Sequence, residues 1–349
     1  MNTKHYIVDR EKPDFRILDE AAAVLRQGGL VAFPTETVYG LGANGLDPGA
    51  VMRIFAAKGR PADNPLILHI AEPYEVKKLA SRVPANAAAL MAKYWPGPLT
   101  VVLARTRLVP DAATGGLDTV AIRLPDSPVA RELIRLAGVP VAAPSANTSG
   151  RPSPTTAQDV LADMDGRIEV VVDAGPCDIG VESTVVDCTT PVPTLLRPGG
   201  VTLEMLMETL GEVEVDPALG GENFVPRAPG MKYTHYAPAA PMTLYEGEAA
   251  AVAAALADEA KRLSGAGRRT GAVVTAETAR LLPPETVVAA YGALGDLEAA
   301  AANLYIALRH FDAEPVDVIL AEGVDEAGLG LAVMNRMRKA AGYRIVRCE

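Results

Sequence analysis

Apolar positions along the chain come in short runs whose spacing alternates between a helical and a strand period. Residues 18–27 carry an amphipathic helical pattern that closes at Gly28-Gly29, where a left-handed cap is tolerated. Leu30-Val31-Ala32-Phe33 follows as a buried strand ending at Pro34. Asp47-Pro48 then supplies an N-cap and a first-turn proline for a helix running toward Lys58. Strand-length apolar runs at 66–70, 99–103, 119–124, 139–143 and 169–173 alternate with helical patterns at 85–94, 127–137 and 156–162. This predicts an α/β fold punctuated by Pro, Gly, Ser and Thr.

The pattern changes after Arg197-Pro198-Gly199-Gly200. A helix at 203–210 leads into 211–241, rich in Gly, Pro and acidic residues and without clear periodicity, the texture of a linker or a lid. From Met242 a second α/β rhythm begins, with strands at 242–245, 271–275, 286–290 and 316–321 and helices at 249–263 and 297–310. Strands alternating with helices predict a small Rossmann-like parallel-sheet domain. The expected organisation is therefore a domain over 1–210, a linker over 211–241 and a smaller domain over 242–349.

Composition narrows the function. The chain has 349 residues, 49% of them hydrophobic and 22% charged, which excludes a disordered chain and leaves room for about two cores. A formal net charge of −10 excludes a broad basic field for gripping nucleic acid, so any anion site is local and no stable nucleic-acid complex is expected. Residues 1–15 lack an apolar signal-peptide core, and the alanine-rich run at 249–257 is too short to span a bilayer. Cys177, Cys188 and Cys348 form neither a disulfide framework nor a zinc pattern. A cytoplasmic protein without membrane contact is the expectation.

Several polar motifs interrupt the apolar runs. Gly40-Leu41-Gly42-Ala43-Asn44-Gly45 satisfies G-x-G-x-x-G, but Thr35 to Tyr39 separate it from the strand and the next helix has its own cap, which argues against a dinucleotide site. Lys58-Gly59-Arg60-Pro61 reads either as charge compensation at a helix end or as a phosphate clamp. His69 alternates with Ile67 and reads first as a buried histidine satisfied by a neighbour. Arg123, inside Ala121-Ile122-Arg123-Leu124-Pro125, needs an anionic partner, either a structural carboxylate or that of a ligand. Pro144-Ser145-Ala146-Asn147-Thr148-Ser149-Gly150 sits at the end of a strand, where open α/β sheets bind ligands and where Ser/Thr turns are also common. Neither G-x-S-x-G nor H-E-x-x-H occurs, and no base stands near the cysteines in sequence.

The order of these motifs closely resembles the YrdC family. It is carried by Pro34-Thr35-Glu36-Thr37-Val38-Tyr39-Gly40-Leu41-Gly42, Lys58-Gly59-Arg60-Pro61, Asn64-Pro65-Leu66 with His69, and Trp95-Pro96-Gly97-Pro98-Leu99-Thr100. Arg123-Leu124-Pro125, Ala143-Pro144-Ser145-Ala146-Asn147, Ser183-Thr184-Val185 and Arg197-Pro198-Gly199 complete it. Pro229 to Pro238, ahead of the second domain, resembles the long two-domain form. The resemblance implies a twisted mixed sheet with helices around a concave site, plus the Rossmann-like C-terminal domain.

It also implies an activity, that of a nucleotidyltransferase. L-threonine, bicarbonate or CO2, and ATP would yield a threonylcarbamoyl adenylate and pyrophosphate, for threonylcarbamoyl modification of adenosine in tRNA. Mg2+ would arrive with ATP and no metal ligand is expected from the protein; downstream tRNA threonylcarbamoyl transferase proteins are candidate partners. Lys58 and Arg60 would be the catalytic pair and grip the phosphates, with Asn64, Thr119, Ser145, Ser153, Arg197 and Tyr236 completing the ATP site. Thr35, His69, Arg123, Ala143 and Ser183 would frame the threonine, and the linker would fold over the pocket as a lid. Two other activities fit such a pocket, a non-enzymatic RNA-binding module and a carbamoyltransferase that forms a different carbamoyl adenylate.

Overall fold

The computed structural model describes residues 2–219 and 235–349, and the chain divides into two compact units. The first comprises Met1–Ser149, Ser153–Asp178 and Glu182–Lys232; the second comprises Gly150–Pro152, Ile179–Val181 and Tyr233–Glu349. The sequence motif Pro229 to Thr234 and the middle of the expected lid lie outside the described residues.

The first unit is built on eleven strands: β1 (Lys4–Ile7), β2 (Val31–Phe33), β3 (Gly40–Asn44), β4 (Ile67–His69), β5 (Leu99–Ala104), β6 (Thr119–Arg123), β7 (Val141–Ala142), β8 (Val170–Asp173), β9 (Thr184–Asp187), β10 (Thr194–Arg197) and β11 (Glu214–Val215). They form one mixed sheet in the order β1-β8-β2-β3-β7-β4-β6-β5-β9-β10-β11. Helices Phe15–Arg26 and Pro128–Ala137 cover part of one face, burying Leu18, Leu25, Leu133 and Ile134 against Val31, Phe33, Val141 and Val172. The helix starts follow local chemistry. Asp47 accepts from Gly49 N at 2.8 Å with Pro48 in the first turn, and Ser127 caps Pro128–Ala137 by accepting from Ala130 N.

The glycine motif is where pattern reading and structure part most. Gly40 to Asn44, which the apolar pattern does not mark as a strand, form β3, antiparallel to β2 with Val31 opposite Gly42. A Cβ on Gly42 would stand 2.8 Å from both the Phe33 ring and Val141 Cγ1, so the strand crosses the packed interior where no side chain fits. The glycines serve close packing, and the dinucleotide reading fails on topology. β1 also escapes a hydrophobic pattern, because it is a largely exposed edge strand held by parallel backbone pairing to β8. Glu214–Val215, inside the stretch expected to be linker, pairs with β10 at the far edge.

The second unit holds β12 (Met242–Gly247), β13 (Thr270–Val274), β14 (Val287–Ala290), β15 (Val318–Glu322) and β16 (Ile345–Cys348), in the order β14-β13-β15-β12-β16. Every pair is parallel, as the strand–helix alternation predicts. Helix Ala249–Gly265 buries Val252, Leu256 and Ala260 against Tyr245, Ala272, Val274 and Leu320. β16 and helix Gly330–Ala340 are additions to the predicted set. The helix carries a fully buried Arg336 and a buried Asn335, which blur its apolar stripe. Among the described residues no helix is long and apolar enough to cross a membrane.

Candidate active site

Strand register sets the central row of the first unit. His69 on β4 pairs with Arg123 on β6, Arg123 with Thr100 on β5, Thr100 with Val185 on β9, and Val185 with Arg197 on β10. Residues in register project to the same face, so one transverse line across β4, β6, β5 and β9 carries His69, Arg123, Thr100 and Val185; the register shifts between Leu195 and Arg197 on β10, and Arg197 joins the line through its hydrogen bonds to Ser183. Ser183, two residues before Val185, joins the row: its hydroxyl shares a 2.8 Å hydrogen bond with Thr100 Oγ1 and accepts from Arg197 Nη2 at 3.1 Å. Arg197 Nε also donates to the Ser183 carbonyl at 3.0 Å.

Arg123 is 4% exposed, and the fold itself supplies one of the two anionic partners that its sequence context allows, a structural carboxylate. Nη2 donates to Glu36 Oε1 at 2.6 Å, Nη1 to Thr37 Oγ1 at 2.9 Å, and Nε points at the Gly97 carbonyl at 3.4 Å. Thr35 Oγ1 lies 2.8 Å from Thr37 Oγ1 and donates to the Val38 carbonyl at 2.7 Å, so the 35–38 turn is tied together beside the guanidinium. His69 is buried, and burial first and Arg123 second hold its pKa down at about 3, which keeps the imidazole neutral. Its Nδ1 is buried without a partner among the described residues. Ala143 is buried and donates its N–H to the Ile67 carbonyl at 3.0 Å, next to the β4 end of the row.

A second group forms at the end of helix Pro48–Lys58. Gly59 takes the left-handed cap at φ 63°, and Lys58, 2% exposed, turns its ammonium into the 145–149 loop. It donates to the carbonyls of Ser145 and Asn147, the latter at 2.5 Å, while Ser145 Oγ donates to Asn147 Oδ1 at 2.6 Å. Ser149 N bonds the Lys58 carbonyl at 2.9 Å, and Leu41 N bonds that of Pro144 at 2.8 Å, which stitch this loop to the helix end and to β3. The loop of this motif is thus built around the Lys58 cation.

Arg60 is half-buried, with its guanidinium 5.9 Å from the Phe55 ring centroid and Nη2 3.3 Å from the Pro65 carbonyl. Asn64, 1% exposed, has both side-chain polar atoms buried without a partner among the described residues. An unpaired buried amide is costly, and a ligand that supplies the missing bonds removes the cost. Ser153 donates to Glu182 Oε1 at 2.5 Å, both buried. Thr119 stands on the same face of β6 as Arg123, four positions earlier and about 13 Å along the strand. Tyr236 belongs to the second unit, where it is 5% exposed, holds φ 64° and packs its ring 5.3 Å from that of Tyr305. A left-handed tyrosine is uncommon and marks a conformation imposed by its surroundings.

The motif reading left Glu36, Thr37, Thr100 and Glu182 without roles, and the structure makes them the partners that hold Arg123, Ser183 and Ser153. Their signal lay in plain view, because each sits inside or beside a quoted motif. Cys177 and Cys188 are buried, and desolvation raises both thiols, Cys188 to about 12, so neither is an activated nucleophile. Among the described residues no group of three or more His, Cys, Asp or Glu side chains could hold a metal ion.

Residues 23–199 match the family described as "Telomere recombination", and residues 201–342 match the threonylcarbamoyl-AMP synthase C-terminal domain. The threonylcarbamoyl-AMP synthase of Pyrococcus abyssi is 51% identical over 94% of this chain and 94% of its own length. That of Bacillus subtilis is 48% identical over 99% of this chain and 100% of its own. The crystal structure of Pyrococcus abyssi Sua5 complexed with L-threonine superposes with a TM-score of 0.95 at 49% identity, covering 99% of this chain and 100% of that one.

Proposed function

This chain belongs to the threonylcarbamoyl-AMP synthase family, a family of enzymes, and from that membership we propose that it condenses L-threonine, bicarbonate or CO2, and ATP into threonylcarbamoyl-AMP and pyrophosphate. The single observation that supports carrying the reading to particular residues is the row His69–Arg123–Thr100–Val185, with Arg197 bonded to Ser183 beside it, which gathers a neutral histidine, two guanidinium groups and hydroxyls in one place. In this reading Arg123 binds the threonine carboxylate through the second N–H on each terminal nitrogen, with Thr35, neutral His69, the Ala143 backbone and Ser183 around the rest. Lys58, Arg60, Asn64, Thr119, Ser145, Ser153 and Arg197 hold ATP in this reading, with Tyr236 as a further proposed ATP contact.

The chemistry is a nucleotidyl transfer. The threonine amine adds to CO2 and loses a proton, giving a carbamate. A carbamate oxygen then attacks the α-phosphorus of ATP, a new P–O bond forms, the bond to the β-phosphate bridging oxygen breaks, and pyrophosphate leaves. Displacement at phosphorus needs positioning and charge neutralisation more than a protein nucleophile. That suits a site of fixed cations with inert, buried thiols. Mg2+ enters this reading as part of the ATP substrate, on phosphate oxygens and water. The product is an activated acyl group, so its consumer is an acyl-transfer system, here the adenosine-modifying tRNA threonylcarbamoyl transferases, which we place with this enzyme in the cytoplasm.

Pyrophosphate release with each of the three substrates omitted in turn tests the reading. Release only when threonine, bicarbonate and ATP are all present supports it. Equal release without threonine refutes it.

A further inference from the structure

The Arg123–Glu36 pair has one oxygen to spare. Glu36 is 8% exposed; its Oε1 is taken by Arg123, but its Oε2 is buried without a partner among the described residues. A buried carboxylate oxygen with no donor is a costly vacancy, and the group that best repairs it is a cationic N–H. The surroundings reinforce this. Behind burial, Glu36 is the next cause that holds the Asp126 carboxyl above its usual range, so a second acidic group shares the local field. A positive ligand group gains from both.

We propose that Glu36 Oε2 accepts the α-ammonium of the incoming amino acid while Arg123 takes its carboxylate. Arg123 and Glu36 then form a dipole complementary to a zwitterion, whose two charged groups are separated by a single carbon. The arrangement selects α-amino acids over hydroxy acids and orients the nitrogen that is to be carboxylated. It deepens the proposed function and rests on threonine being the substrate. Because Arg123 keeps its bond to Glu36 and uses its remaining N–H groups, Glu36 is a binding residue and not a competitor that the substrate must displace.

Calorimetric titration of the full chain with L-threonine, and separately with 3-hydroxybutanoate, tests this. The second ligand keeps the carboxylate and the hydroxyl but lacks the ammonium. Wild-type protein should bind threonine more tightly by on the order of ten- to a hundredfold. Glu36→Gln should lose that preference and raise KM for threonine while leaving KM for ATP unchanged. Equal binding of the two ligands by the wild type overturns the proposal, whether or not the variant folds. So does a Glu36→Gln protein that binds threonine as well as, or more tightly than, the wild type, since a displaced competitor would give that result. No threonine binding to the wild type at all would refute the proposed function instead.

Discussion

His69 and Arg123 are register partners on adjacent strands, and the arginine reinforces what burial does to the imidazole: its pKa falls to about 3. The unfolded chain titrates His69 near 6.5, so folding favours the neutral ring. Its contribution to stability is full above pH 6.5 and declines as pH falls toward 3, where the unfolded state binds a proton that the folded state refuses. The slope is about 1.4 kcal/mol per pH unit within that window. Compared with His69→Gln, the wild type should therefore lose about 2 kcal/mol between pH 7 and pH 5 in urea melts. Parallel losses in the two proteins would show that His69 titrates normally.

Lys58 and Arg60 share a motif but separate in their consequences. Lys58 is buried and satisfies two loop carbonyls, so Lys58→Ala should abolish turnover and also cost about 1–3 kcal/mol of stability. Arg60 is half-buried where Lys58 is buried, so Arg60→Ala should remove most turnover while costing less stability than Lys58→Ala. Thermal melts beside pyrophosphate assays distinguish the two. Equal stability losses would contradict the assignment.

Asn64 predicts a trade between stability and binding. Both its polar atoms lack partners among the described residues, so Asn64→Leu, close in size, should leave the ligand-free protein as stable or about 1 kcal/mol more so. ATP affinity should fall by about tenfold or more. A destabilised variant with unchanged ATP affinity would show that the amide serves the fold.

Gly42 predicts a purely steric effect. A methyl group there meets the Phe33 ring and Val141 at 2.8 Å, so Gly42→Ala should cost about 1–3 kcal/mol by overpacking. Gly138, with no atom within 4 Å of its hypothetical Cβ, serves as a backbone control because its cost arises only from φ 69°.

These cases also mark where the chain is legible in one dimension. Strands β2, β5, β6 and β8 and the capped helix Pro48–Lys58 are written in apolar runs and in Asp47-Pro48, so pattern and fold agree. The glycine-rich β3 is not, because its reason lies in Phe33 and Val141, which reach it only across the sheet. β1 and β16 are edge strands fixed by backbone pairing, and edges leave a weak apolar signature. The site divides along the same line. Arg123 announces itself as a charge inside an apolar strand, and sequence narrowed its partner only to a carboxylate. That the carboxylate is Glu36, from a turn 87 residues away, follows from tertiary structure alone.

The central claim is that this site joins a carboxylated amino acid to the α-phosphate of ATP. Mass spectrometry of the nucleotide product formed from 13C-bicarbonate, L-threonine and ATP tests it most directly. The expected product is a threonylcarbamoyl adenylate that carries the heavy carbon, released together with pyrophosphate. ADP and phosphate, or an adenylate without the label, would contradict it.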